Sequence, residues 1–156
     1  MKKLNELDLK ILRRLTTNAR VPLRDVAEGE NSSRSSVNQR LTRMIENGVL
    51  TSLKYHVNPK KIGYNTCTYV GVRLERGSLY KEVAERMREI PEIVECHFTT
   101  GPYTMLIKLY AIDNNDLMRI LNGIIQSIPG VVATDTLISL DVSFERSIHI
   151  PDHLPQ

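Results

Sequence analysis

Between residues 33 and 47 the chain gathers Arg34, Ser35, Ser36, Asn38, Gln39, Arg40 and Arg43. Their guanidinium, amide and hydroxyl groups are the ones that hydrogen-bond phosphate oxygens and base edges. Lys54, a little further on, adds a cation suited to a phosphate contact. None of these residues is part of a reactive constellation. The chain has no Ser/His/Asp or Cys/His set, no phosphate-cradling GxxxxGK, and no carboxylate pair with an evident task. The chemistry on offer is recognition of a polyanion, and no enzyme activity is expected. Cys96 beside His97 could be half a metal site, but neighbouring strand residues point to opposite faces. Cys67 and Cys96 have no CxxC spacing, so no metal, cofactor or disulfide framework is expected.

Such side chains must be carried on a rigid element. Ser33 suits a helix N-cap, and Val37, Leu41, Met44 and Ile45 then fall at i, i+4, i+7 and i+8. That spacing predicts an amphipathic helix whose apolar stripe faces a core while the polar set points elsewhere. Gly48 ends it. Asn5 caps an earlier helix, with Asp8 favouring its positive end. Leu7, Ile11, Leu12 and Leu15 form the stripe of that helix, and Lys10, Arg13 and Arg14 lie off it. Pro22 fits the first turn of a second helix, with Val21, Leu23, Val26 and Ala27 apolar and Gly29 at its end. Val49-Leu50 and Lys54-Tyr55-His56-Val57 alternate as two short strands. Three helices and a hairpin make a winged helix-turn-helix, whose third helix enters the major groove of double-stranded DNA. A head of this shape can also dock proteins, since fold does not fix function.

From residue 66 the hydrophobic period changes. Thr66, Thr68, Val70, Val72 and Leu74 alternate with Cys67, Tyr69, Gly71 and Arg73, which predicts a strand. Residues 80–90 follow as a helix, then strands at 93–100 and 103–111 joined through Gly101-Pro102. A second helix is expected at 117–128 and a last strand at 131–142. The order β-α-β-β-α-β is the ferredoxin-like arrangement, so the chain is read as α+β. The expected division is a winged head at 1–58, a linker at 59–65, the ferredoxin-like domain at 66–146 and a tail at 147–156. Charge divides in the same way: residues 1–61 carry a net +7 and residues 62–156 a net −4. A basic head on an acidic body fits a polyanion-binding module. No apolar run reaches the length of a membrane span, and the opening Met1-Lys2-Lys3-Leu4-Asn5-Glu6 lacks the apolar core of a signal peptide. A soluble, cytoplasmic protein is expected.

The pieces share an order and spacing. They are Leu4-Asn5-Glu6-Leu7-Asp8-Leu9-Lys10-Ile11-Leu12 with Asn18-Ala19-Arg20; Ser33, Val37, Arg40-Leu41, Arg43-Met44 and Gly48-Val49-Leu50; Val57-Asn58-Pro59 through Gly63; Glu95-Cys96-His97 through Gly101-Pro102-Tyr103; and Ile128-Pro129-Gly130-Val131 through Thr134-Asp135-Thr136. Together they resemble the leucine-responsive regulatory protein / AsnC family, the feast/famine transcription regulators, over nearly the full length. The resemblance implies a DNA-binding head and a sensor domain that forms dimers through its sheet. It also implies assembly to tetramers or octamers, with an amino acid or related metabolite held at contacts between dimers. Carried onto this chain, the effector positions are Thr100, Gly101, Pro102, Tyr103, Thr104, Thr134 and Thr136. In the family pattern Arg40 also braces its helix. Two departures stand out. The turn before the third helix reads Glu30-Asn31-Ser32-Ser33 where the family has apolar-Gly-Leu-Ser, which leaves two packing positions polar. The sensor loop reads Gly101-Pro102-Tyr103-Thr104 where the family has acids around an aromatic, so the carboxylates that would pair an effector's ammonium are missing. An alternative is a ligand-binding or siroheme-decarboxylase-like protein of the same architecture that no longer binds DNA.

Overall fold

The computed structural model describes residues 4–51 and 54–154. It consists of two compact units, Met1–His56 with Phe144–Gln156, and Val57–Ser143. The chain therefore leaves the first unit near residue 56 and returns to it near residue 144.

In the first unit, α1 (Glu6–Thr17) begins with a reciprocal cap. The Asn5 side chain accepts from the Asp8 N–H, and the Asp8 carboxylate accepts from the Asn5 N–H, both at 3.0 Å. This satisfies two of the donors that a helix start leaves unpaired. Leu9, Ile11 and Leu12 are buried on its inner side. Helix α2 (Leu23–Gly29) starts one residue after Pro22, which occupies the N-cap rather than the first turn, and buries Val26 and Ala27. Helix α3 (Arg34–Glu46) is capped by the Ser33 hydroxyl, which accepts from the Ser36 N–H at 3.1 Å. Val37 and Met44 are its buried residues, while Ile45, expected on the same stripe, is half exposed. Gly48 closes the helix at φ +68°, a conformation glycine adopts without steric cost. The expected wing turn includes residues 52 and 53, which lie outside the described residues. The described residues on either side of it carry no strand.

The second unit is a four-stranded antiparallel sheet in the order β2-β3-β1-β4. Its strands are β1 (Thr66–Leu74), β2 (Ile93–Phe98), β3 (Met105–Ala111) and β4 (Val131–Ser139). Helices α4 (Tyr80–Arg88) and α5 (Asn114–Met118) supply the connections. Alternation decides the faces. Val70, Val72, Met105, Ile107 and Leu109 turn toward Val83, Met87, Ile120 and Ile125 to make the core. The second helical segment differs from the expected continuous α-helix. After α5 it runs as a π-helical stretch, Arg119–Ile124, and a 3-10 turn, Ile125–Ser127. The wider turns keep Ile120, Leu121, Ile125 and Ile128 buried, and Gly123 within the run has a low helix propensity. Strands β2 and β3 are shorter than expected because the chain between them folds into its own loop. Thr99 N–H donates to Thr104 O at 3.0 Å, and the Thr99 hydroxyl donates to Tyr103 O at 2.9 Å.

Candidate DNA-reading helix and sensor loop

The start of α3 presents the polar set that sequence singles out. Arg34, Ser35, Asn38 and Gln39 are exposed, and Ser36 is half-buried. Among the described residues Arg34 and Lys54 have no acidic partner, and both are exposed. Their charge is available to an external anion.

Arg40 and Arg43 are placed differently. Both reach back to Asp8, which is fully buried at the start of α1. Arg40 Nη1 lies 2.8 Å from Asp8 Oδ1 and 3.0 Å from Asn5 Oδ1. Arg43 Nη2 lies 2.9 Å from each Asp8 oxygen. Burial alone would raise the Asp8 pKa. The Asn5 N–H and the two guanidinium groups outweigh it and hold the carboxyl below its ordinary range. These two arginines are therefore positioning residues that pin α3 to α1, and the one negative charge of Asp8 offsets one of their two positive charges. Sequence could have hinted at this through the Asn5/Asp8 capping box, which fixes a carboxylate at the α1 start. The partners lie more than 30 residues away, which spacing alone does not reveal.

The polar turn between α2 and α3 is held by other means than apolar packing. Arg14 Nε bonds Glu30 Oε1 at 2.7 Å, and the Glu30 side chain is mostly covered. Asn31 takes φ +48°, the left-handed conformation that the family's glycine would adopt. The Ser32 N–H donates to Ala27 O at 2.9 Å. A carboxylate that would otherwise face phosphates is thus met by Arg14, and α3 follows a well-formed turn.

In the sensor unit the carried-over effector residues fall into two groups. Aligned residues of antiparallel strands share a face. Thr134 pairs with Val72 and Thr136 with Val70, so both point to the helix side of the sheet. Gln126, which sequence reasoning missed, donates to the Thr134 hydroxyl at 2.8 Å. The Tyr103 ring lies on the opposite face, against Gly71, where an added Cβ would meet ring carbons at 2.5–2.6 Å. Gly71 is needed there for that close approach. Thr104 is a tie within the fold: its N–H donates to Val72 O, and its hydroxyl accepts from the Leu74 N–H. Thr100, Gly101 and Pro102 form the exposed tip of the loop. The outer face also carries Lys108, which lies over the Tyr69 and Tyr110 rings and pairs with Glu95 at 3.4 Å. Burial opposes its charge, but Tyr110, Glu95 and Tyr69 prevail and raise its pKa. Cys96 and His97 pair with Ile107 and Leu106 respectively and face opposite ways. Among the described residues no group of three metal-ligating side chains occurs, and no helix is long and apolar enough to cross a membrane.

A winged helix-turn-helix head joined to a ferredoxin-like domain, with a polar helix face turned outward, defines a class of two-domain DNA-binding regulators. The family comparisons agree. Residues 4–51 match the winged helix-turn-helix DNA-binding model, and residues 67–148 match the Lrp/AsnC ligand binding domain. The chain belongs to the Lrp/AsnC family of transcription regulators. It is similar to the HTH-type transcriptional regulator FL11 of Pyrococcus furiosus, 34% identical over 92% of this chain and 94% of the relative. It is also similar to the structure of AsnC from Escherichia coli, with a TM-score of 0.87, 29% identity, and coverage of 94% of this chain and 98% of that one. The fold extends to a Neisseria meningitidis transcriptional regulator solved as a complex with L-Met, with a TM-score of 0.85, 20% identity, and coverage of 93% and 95%. Relatives named as regulators favour the regulatory reading over the siroheme-decarboxylase-like alternative.

Proposed function

We propose that this chain is a sequence-specific transcription regulator, working in the cytoplasm, whose α3 enters the major groove of DNA. Arg34, Ser35, Ser36, Asn38 and Gln39 stand nearest the bases, and Lys54 stands near a phosphate. The observation that carries this reading is the division of labour on α3. Among the described residues its exposed Arg34, Ser35, Asn38 and Gln39 side chains make no hydrogen bond or ion pair, while Arg40 and Arg43 lock the helix onto α1. Rigid placement of a reading helix is what base discrimination requires.

The sensor unit pairs with a second copy through its helix-free face and responds to a small amino-acid-type effector. Thr134, Thr136 and Gln126 supply hydroxyl and amide groups on one face, and the Tyr103 loop supplies another surface on the opposite one. An effector that touches both groups does so where two copies meet. No acid flanks Tyr103, so an effector ammonium group would be met by carbonyls, hydroxyls or the Gln126 amide oxygen. The ligand acts by its differential affinity for one assembly over another.

The test is fluorescence anisotropy with the DNA upstream of the chain's own gene, against scrambled DNA, across a salt series. Preference for the natural fragment with a steep salt slope is the expected result. Equal and negligible affinity for both at low salt would refute DNA reading by this head.

A further inference from the structure

The last described residues of the chain are part of the head. Residues 140–149 are exposed throughout, and burial returns only at Ile150, Pro151 and Leu154. Ile150 and Leu154 pack against the cluster formed by Leu9, Ile11, Leu12, Val26, Ala27, Val37 and Met44. Between them the backbone is held by one side chain of α1. Arg13 Nε donates to Ile150 O at 3.3 Å and Nη2 to Pro151 O at 2.9 Å, while Nη2 also lies 2.6 Å from Asp152 Oδ1. The fork of a guanidinium can serve three oxygens at once; an ammonium cannot reproduce that geometry. In sequence this contact is visible only as an arginine off the apolar stripe and a proline-bearing end.

We propose that residues 150–154 are a strap that completes the DNA-binding head, and that Arg13 is the positioning residue that fastens it to α1. Helix α1 carries Asp8, which in turn holds Arg40 and Arg43 of α3. Steadying α1 therefore steadies the reading helix. The strap also joins the head to the sensor unit by a second covalent connection, since the chain enters the sensor unit after His56 and leaves it after Ser143. The part of this proposal that concerns DNA rests on the regulator reading above; the part that concerns α1 does not.

The experiment uses three forms of the chain: the full chain, a chain ending at His149, and the full chain with Arg13→Lys. Amide hydrogen exchange of residues 9–15 and DNA affinity are measured for each. The truncated chain should exchange α1 amides about tenfold faster or more, and Arg13→Lys should do so by a smaller factor. DNA affinity should fall in the same order. A peptide of residues 144–154, added to the truncated chain, should slow α1 exchange again and restore affinity, which general misfolding would not allow. Unchanged α1 exchange in both variants would overturn the strap. Faster exchange with unchanged affinity for DNA would overturn its role in positioning the reading helix. If the full chain itself shows no DNA preference, the regulator reading fails, and the exchange and peptide results still decide the strap.

Discussion

Asp8→Asn removes one charge at nearly constant shape, and its consequence can be worked through. The carboxylate accepts from the Asn5 N–H, from Arg40 and twice from Arg43. An amide in its place keeps one acceptor oxygen and turns an NH2 group toward guanidinium donors. Removing one partner of a fully buried ion pair costs about 3–5 kcal/mol. Here Asp8 is fully buried, but the Arg40 and Arg43 side chains keep 23% and 30% exposure. Water can therefore take over part of their solvation, which lowers the cost to about 2–3 kcal/mol, including the weakened helix cap. For a domain of this size, 1 kcal/mol corresponds to roughly 4–8 °C in Tm, so the head should melt roughly 10–20 °C lower. The pH dependence sharpens the test. The Asp8 pKa is lowered in the folded state. Its contribution is complete above the unfolded carboxylate value of about 4 and is lost as pH falls through the folded value. The native head should lose stability in that acid window, and the variant should lose less. The assay is thermal unfolding of the full chain by circular dichroism from neutral pH to acid, with hydrogen exchange to assign the transition to the head. A variant that melts within a few degrees of the native chain at pH 7, or that shows the same acid loss, would refute the bracing argument.

Arg34→Ala and Arg43→Ala should separate in a salt series. The first should leave Tm within about 0.5 kcal/mol and lower the salt slope of DNA binding by about one. The second should destabilise the head by about 2 kcal/mol and change the slope less, because its guanidinium is held on Asp8 rather than left for a phosphate. Glu30→Leu, which restores an apolar residue to the turn, should leave head stability neutral or raised in a melting experiment; Glu30→Ala should cost about 1 kcal/mol. Gly71→Ala should cost the sensor unit about 1–3 kcal/mol by driving into the Tyr103 ring. Combining it with Tyr103→Ala should cost less than the sum of the two single changes, as read by denaturant unfolding.

Much of the fold is legible because local rules act alone there. The Asn5 and Ser33 caps, the alternation through β1 and the left-handed Gly48 are each set by a few adjacent residues. The second sensor helix shows where that stops. Its apolar spacing fits an α-helix, yet Arg119–Ile124 runs as π-helix, because the sheet it must cover sets which side chains are buried. Strands β2 and β3 stop short of the expected 93–100 and 103–111 for a related reason. The Thr99 and Thr104 backbone bonds that close the loop are not written in hydrophobic pattern. The family resemblance supplied effector positions one by one, but only the strand register shows that Tyr103 and Thr134 lie on opposite faces.

The candidate DNA site was legible as composition and only partly as geometry. Seven polar residues within α3 look equivalent in sequence, all of a kind that can reach DNA. What separates them is whether an acid lies within reach in three dimensions, and Asp8 settles that for Arg40 and Arg43. The same reasoning applies to the basic character of the head. Arg13, Arg14, Arg40 and Arg43 each have an acidic partner inside the unit, so four of the thirteen cations of residues 1–61 serve internal bracing, and the net +7 already subtracts Asp8 and Glu30. The field that steers the head toward a polyanion then comes from fewer residues, Arg34 and Lys54 among them. Affinity for non-specific DNA should accordingly be lower than the count of thirteen cations implies, because the salt-dependent term counts phosphates actually neutralised. A salt slope near the number of unpaired head cations, rather than near the formal count of thirteen lysines and arginines in residues 1–61, is the outcome this arrangement requires.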